Sequence, residues 1–585
     1  MRWRHPGGRR LRSSTLIYVV AIALAFWVFL KFVGGSNSEG VEVLDPSQIS
    51  LLFGNEPGNV GAHTIDALIH DSYKLHTAQL SKATFNVRDA AQAYRKRRRR
   101  HPPPGFDTWY ARAQRQDAVV VEDYFDRIYE DLEPFWGVSP SSIRGSVVEW
   151  AHVLSVRNGK VDALDQSCFN SRVWGDMLSR IARDLPDLDF AINPLAEPRV
   201  IAPWREVNAA VSRAAEQKQR MMALPSSEVL QRMPQFRPSE PLPGHWVTKG
   251  SYANLLAESC SGRDHNSERE FYVSNWTDSN NLCTNPHLAK LHGALIEPAS
   301  LNVFSTLIPI FSAAKFQGNN DILLPPAAYY SDKSLSSGSS SSIPWTKKST
   351  GLIWRGEASG GVSHEKIWQQ FHRHRFVSVL NGSTAKSFIG RPDFRNAWDD
   401  QDGRTAYYAL LPKWLRKTCD IAFTDLLCSG RQSEDPETCK TISDHYKPTK
   451  EIFMSRQYAW KYLPDIDGAS FSDRFMAVLR SNSAIMKSTL FKEWHDSRLQ
   501  PWVHFIPVQI SFSDLWTIMQ YFIGFADVAA HDAEGRAIAL LGREWAGKAL
   551  RREDMEIYLH RLLLEYARVC DEEREVLGYV ADLLG

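Results

Sequence analysis

At 585 residues, with 43% hydrophobic and 23% charged side chains, the chain has globular composition but is too long for a single core, and two large units are expected. Its 69 basic and 67 acidic residues nearly cancel to a net charge of +2, which excludes a global field for nucleic acid or an acidic membrane surface. Seven cysteines without a C-x-x-C pair exclude a disulfide-built scaffold and offer no zinc pattern; in an oxidising compartment the candidate bridges are Cys260 with Cys283 and a pair among Cys419, Cys428 and Cys439.

Residues 1–14 hold five arginines, and 15–33 are apolar except for Lys31. At 1.5 Å per residue that stretch makes a helix of about 28 Å, enough to cross a hydrocarbon layer of about 30 Å. The basic flank then marks 1–14 as a cytosolic tail and 15–33 as a type II signal anchor, with everything beyond it lumenal. A cleaved secretory signal shares the pattern, and both readings put the bulk of the chain in the secretory pathway, the anchored form in the Golgi or ER membrane. The sequons at Asn275 and Asn381 suit that location. Residues 34–100 read as a stem of amphipathic helical pieces, stopped by the prolines of HPPPGF. The basic run Arg95–Arg100 reads as a solvated helix face, with stem processing as the alternative.

From 101 to 340 helical and strand signals mix: DAVVVEDYFDRIYEDLEPFW predicts a helix, while DLDFAIN and DILLPP predict short buried strands. A Ser/Gly-rich stretch at 331–345 marks the boundary to a second unit, 341–585. There GLIWRG and RFVSVLNG predict strands, and 543–569 predicts one long amphipathic helix. Strands alternating with helices in two halves argue for a doubly wound α/β architecture.

Two patterns suit chemistry on a nucleotide diphosphate. Paired aspartates, Asp187/Asp189 and Asp465/Asp467, fit a metal-holding D-x-D, although caps and turns use the same residues. In Trp354-Arg355-Gly356-Glu357-Ala358-Ser359-Gly360-Gly361 a strand end meets a guanidinium and a glycine turn, the arrangement that brings backbone amides and a cation to a phosphate.

Together with that run, YLPDIDGASFSDRF, LRSNSAIMKST, FKEWHDSRLQPWVHFIPV and REDMEIYLHRLLLEYARV resemble the capsule-associated glycosyltransferases, family 90, which includes fungal β-xylosyltransferases and animal protein O-glucosyltransferases. Upstream, RRRRHPPPGFDTWYARA and LCTNPHLAKLHGALIEP are similar to the fungal branch, so the likeness runs in order over about residues 95–570. It implies a GT-B fold of two Rossmann-like domains facing a cleft, 101–340 on the acceptor side and 341–585 on the nucleotide-sugar side. It also implies a UDP-sugar donor, inversion at the anomeric carbon and no metal or other cofactor. Carried over by position, Arg355, Gly356 and Arg474 hold the diphosphate, with Gly468 giving close backbone approach and Ser472 a hydroxyl. Where the related glucosyltransferases place the catalytic Asp, this chain has Ala196 with Glu197 beside it, which makes Glu197 the first candidate base and Asp189 the second. Xylose is the favoured sugar and glucose the other; the acceptor is a hydroxyl of a glycan, polysaccharide or protein. The rival readings are a metal-dependent D-x-D transferase and, because of Ala196, an inactive glycan-binding scaffold. His504 and Trp502 read as packing beneath the donor site.

Overall fold

The computed structural model describes residues 63–584 apart from 149, 163–167, 243–245, 248–250, 261–270, 300–301, 333–342, 365–366, 383, 389–403, 428–434 and 527. The expected tail and anchor, 1–33, lie outside the described residues, as does the stem as far as residue 62; no described helix is long and apolar enough to cross a membrane.

The first half of the fold is built on β1 (Val153–Arg157), β2 (Lys160–Asp162), β3 (Leu188–Ile192), β6 (Ile310–Ser312) and β7 (Ile322–Leu323), in the order β2-β1-β3-β6-β7; β4 (Trp246–Val247) and β5 (Val303–Phe304) form a separate pair. Here β3, β6 and β7 are parallel, while β1 runs antiparallel to both β2 and β3. Asn158 and Gly159, at φ 50° and 71°, make the two-residue turn that lets β1 fold back on β2, since only such residues accept a left-handed backbone at both positions. The second half is built on β8 (Ser349–Gly356), β9 (Cys419–Phe423), β10 (Trp460–Ile466), β11 (Ala484–Ser488) and β12 (Ile506–Pro507), all parallel, in the order β12-β11-β10-β8-β9. Its central strands β10 and β11 are buried along almost their whole length, as in a sheet covered on both faces, with Asp465 and Lys487 paired inside it.

Three expectations change. The stretch containing RFVSVL is not a strand: it lies in a helix, His372–Leu380, that packs against β9. The long carboxy-terminal helix is two, Asp532–Ala549 and Arg552–Val569, with the second started by Asp554, whose carboxylate accepts from Arg551 N–H at 2.9 Å. The stem reading fails from Thr64 onward, where α1 (Thr64–Leu80) and α2 (Val87–Arg98) are part of the folded body.

The basic run explains why α2 is held. Arg98 pairs with Glu122 at 2.7 Å and with Asp126 at 2.7 Å, and Arg95 pairs with Asp582 at 2.6 Å. Arg98 and Arg100 are buried whereas Lys96, Arg97 and Arg99 stay exposed, so the run is part internal clasp and part the expected solvated face. Its other side is the Arg552–Val569 helix, which is buried almost all round and packs on first-half helices, including Phe106–Arg115. Glu565 on that helix accepts from Tyr94 and Tyr129, both at 2.9 Å, and pairs with Arg568 at 3.0 Å. Burial alone would raise the Glu565 carboxyl, but Arg568, Arg100 and Arg561 outweigh it and hold it down at about 2. The Arg552–Val569 helix is thus part of the core of the first half.

Cys260 and Cys283 are bridged as anticipated, whereas Cys419 carries a free thiol; Cys428 lies outside the described residues.

Candidate active site

Chain order in the second sheet locates a binding crevice before any side chain is considered. The chain passes from β8 to β9 on one side, then crosses back to lay β10 on the other side of β8. The loops leaving β8 and β10 therefore diverge at their carboxyl ends, the place where doubly wound sheets take ligands. Gly356 ends β8 and Ile466 ends β10, so Gly356, Gly468, Ser472 and Arg474 all fall on or next to these two loops, with Arg355 one residue inside β8.

The site is organised around the buried indole of Trp354. Two guanidinium carbons lie over its ring, Arg373 at 5.6 Å and Arg474 at 5.7 Å from the centroid. Arg474 donates to the carbonyl of Arg355 at 2.6 Å. Arg373 joins the two loops: it donates to the Glu357 carbonyl at 2.9 Å and Ser359 Oγ at 2.8 Å on one, and to the Asp467 carbonyl at 3.1 Å on the other. Among the described residues neither guanidinium is within ion-pair distance of a carboxylate, so their charge is not cancelled locally. Burial lowers the Arg373 guanidinium to about 10, with repulsion from Arg474 adding to it; burial lowers Arg474 as well, with Asp465 and Asp473 opposing. Two crowded, desolvated cations form a place where a diphosphate is electrostatically favoured.

Arg355 behaves differently. Successive strand residues point to opposite faces, so Arg355 lies across the sheet from Trp354. Its guanidinium is bound to the Asp420 carboxylate and, at 2.7 Å, to the Asp420 carbonyl. What Arg355 presents to Arg474 is its backbone oxygen. A Cβ on Gly356 would sit 2.6 Å from the Trp354 ring, and one on Gly468 would sit 2.6 Å from Ser359 Oγ and 2.8 Å from Arg373 Nη2. Ser472 is buried, and its Oγ has no hydrogen-bond partner among the described residues.

The glycine turn expected to cradle a phosphate packs against protein. Gly360, at φ +106°, has room for no Cβ because the Gly468 carbonyl oxygen would be 2.7 Å away, and a Cβ on Gly293 of the first half would meet the Gly360 oxygen at 1.7 Å. Val362 N–H donates to the Glu297 carbonyl at 2.8 Å. Backbone-to-backbone contact of this kind docks the two halves, and it needs glycines for the reason a phosphate would: nothing else lets main chain approach so closely.

The candidate bases lie in the first half. Asp189 is at the amino end of β3, away from the carboxyl ends where such sheets bind ligands, and its carboxylate is taken by Arg157 at 2.7 and 2.8 Å and by Ser155 Oγ at 2.6 Å. Glu197 follows the carboxyl end of β3 in a turn fixed by Asn193, whose side chain donates to the Glu197 carbonyl at 2.8 Å and accepts from Leu195 N–H at 3.1 Å. Glu197 is half-buried beside exposed Ala196, with Arg199 as its electrostatic neighbour.

The D-x-D carboxylates are likewise engaged. Asp187 accepts from Asn158 N–H, Asp465 pairs with Lys487 at 2.7 Å, and Asp467 accepts from Leu490 N–H at 2.8 Å. Among the described residues no group of three or more His, Cys, Asp or Glu side chains is arranged to hold a metal ion. His504 is a buried packing group, stacked on Trp545 at 5.5 Å and accepting from Gln500 N–H. Arg373 was not anticipated from sequence; in HRHRF it looks like any basic helix residue, and only its position just after the start of the His372–Leu380 helix aims it at both loops.

Residues 423–577 match the sequence profile of glycosyl transferase family 90. The chain is 31% identical over 121 residues to protein O-glucosyltransferase 2 of Danio rerio, covering 20% of this chain and 23% of that one. It is 30% identical over 130 residues to an O-glucosyltransferase rumi homolog of Aedes aegypti, covering 22% and 31%. To human protein O-glucosyltransferase 1 it is 28% identical over 122 residues, covering 20% and 29%. The alignments thus span less than a third of each of these relatives. The matched stretch includes β10, β11 and the loop bearing Gly468, Ser472 and Arg474, so this part of the second half is similar to glycosyl transferase family 90.

Proposed function

We propose that this protein is an inverting glycosyltransferase of GT-B type that moves a sugar from a UDP-sugar to a hydroxyl of a glycan, polysaccharide or protein. The observation that carries this reading is the pair of unneutralised guanidiniums, Arg373 and Arg474, at the point where the β8 and β10 loops diverge. Negative charge builds on the diphosphate as the bond to the sugar breaks, and fixed cations in a partly desolvated crevice stabilise that charge more than they stabilise the ground state. Glu197 takes the proton of the acceptor hydroxyl as its oxygen attacks the anomeric carbon from the face opposite the departing UDP. A single displacement of this kind inverts the configuration.

Xylose is the preferred sugar on the fungal-branch likeness, with glucose the alternative suggested by the names of the aligned relatives. Residues 15–33 anchor the protein as a single-pass type II chain in the Golgi or ER membrane, with the catalytic part in the lumen.

The test is to incubate the purified full chain with a panel of UDP-sugars, following UDP release and the configuration of the product with and without a chelator. Chelator-insensitive release and an inverted product are expected. Retained configuration or loss of release with chelator overturns the mechanism, and no release with any donor favours the inactive scaffold.

A further inference from the structure

Beneath Ser472 lies a buried polar cluster that transfer chemistry does not use directly. Tyr329 belongs to the first half, in the short helix Ala327–Ser331, and reaches into the second: its Oη is 2.9 Å from the Ser472 carbonyl and 2.9 Å from Glu493 Oε1. Both side chains are almost completely shielded from solvent. A phenol has one hydrogen, so Tyr329 can donate to only one of these acceptors at a time. Which one depends on Glu493. As a neutral acid, Glu493 donates its own proton to Tyr329 Oη, and the Tyr329 hydrogen goes to Ser472. As an anion, Glu493 can only accept, and a charged acceptor takes the hydrogen in preference to a carbonyl.

We propose that Tyr329 is a positioning residue that couples the protonation of Glu493 to the seating of the Ser472–Arg474 loop. The inference rests on the reading of that loop as part of the donor site. Every charged neighbour of Glu493 is itself fixed. Lys487, 3.7 Å away, is held by Asp465 at 2.7 Å and lies over the Phe475 ring at 3.9 Å. Asp496 accepts from Glu493 N–H, and His495, 3.6 Å from Oε2, stacks on Phe475. On the donor-loop side Asp473 also acts on Tyr329, after Glu493 and Asp465. Among the described residues Glu493 Oε2 and Ser472 Oγ have no hydrogen-bond partner, which leaves room for the switch without breaking another bond.

Burial raises the Glu493 carboxyl to about 8; Asp496 and Asp465 add to this, while Lys487 and Tyr329 oppose it. The sign follows. A carboxyl raised on folding contributes stability while it stays protonated, and that contribution fades as pH rises through about 8. The loop is therefore seated at neutral pH and released above it.

Hydrogen–deuterium exchange of the segment 468–476, corrected for intrinsic rates from pH 6 to 9, tests this alongside UDP affinity at each pH. In the wild type, protection is expected to fall about fivefold between pH 7 and 9, the equivalent of one ordinary hydrogen bond. Tyr329→Phe should be as loose at pH 7 as the wild type is at pH 9, with no further pH dependence. Glu493→Gln, whose amide can still donate to the phenol, should stay protected to pH 9. A wild-type pH profile in either variant overturns the coupling. If the exchange behaves as expected but UDP binds at no pH, the coupling holds and the donor-site reading fails. If UDP affinity varies with pH while exchange does not, the reverse is true.

Discussion

The two sheets of this molecule obey different rules, and the difference decides where each kind of functional residue can be found. In the second half every strand is parallel and the chain reverses direction of travel once, between β9 and β10, so topology alone singles out one crevice. In the first half an antiparallel hairpin sits on one edge, and only β3, β6 and β7 follow the parallel logic. On the proposed reading, charge stabilisation falls to the regular half, where Arg373 and Arg474 lie over one indole. Proton transfer then falls to the irregular half, where the end of a strand at which a carboxylate sits separates a candidate from a bystander.

That contrast breaks most decisively at Glu197. Glu197→Gln is expected to lower kcat by about 10²–10⁴-fold with little change in donor KM, because loss of a general base slows the chemical step alone. Unchanged turnover would remove Glu197 from the mechanism. Next, Arg474→Ala should cost about 10²–10³-fold in kcat/KM, as removal of a donor aimed at developing charge does elsewhere; Arg355→Ala should cost less, because the Arg355 guanidinium is already committed to Asp420. Equal losses from the two would show that the crevice is built otherwise. Gly360→Ala forces a Cβ to within 2.7 Å of the Gly468 oxygen at a positive φ, and a stability loss of about 1–3 kcal/mol in denaturant melts is expected. The smallest effect is reserved for Asp189→Asn. It weakens a partly exposed pair with Arg157 by about 1 kcal/mol and should leave kcat near wild type, the opposite of Glu197→Gln.

What sequence shows of this protein is mainly what is local. The strand feeding Trp354-Arg355-Gly356 and the short strands at DLDFAIN and DILLPP are legible because apolar runs bounded by turn residues leave few alternatives. Asn158-Gly159 carried an equally strong hairpin signal that the α/β pattern overshadowed. The basic run at Arg95–Arg100 misleads because a window of six residues contains only cations; Glu122 and Glu565, which make burial possible, lie far along the chain. Arg373 and Tyr329 are illegible for a related reason. Their roles come from which loops and halves the topology sets beside them, and non-local pairing leaves no periodic trace. The glycine turn is the instructive intermediate case, since close backbone approach was readable from the glycines but its partner, Gly293, was not.

The return of the Arg552–Val569 helix into the first half reaches beyond architecture, into the timing of synthesis. Arg98, Arg100 and Glu122 are made early, yet the helix that seals them leaves the ribosome about a minute later at ~5–20 residues per second. Until then the nascent first half carries an open seam in which apolar side chains such as Phe106 and Trp109 are uncovered, the kind of surface that chaperones hold. Fragments that stop short of Arg552 are for that reason poor objects in which to study the first half by itself.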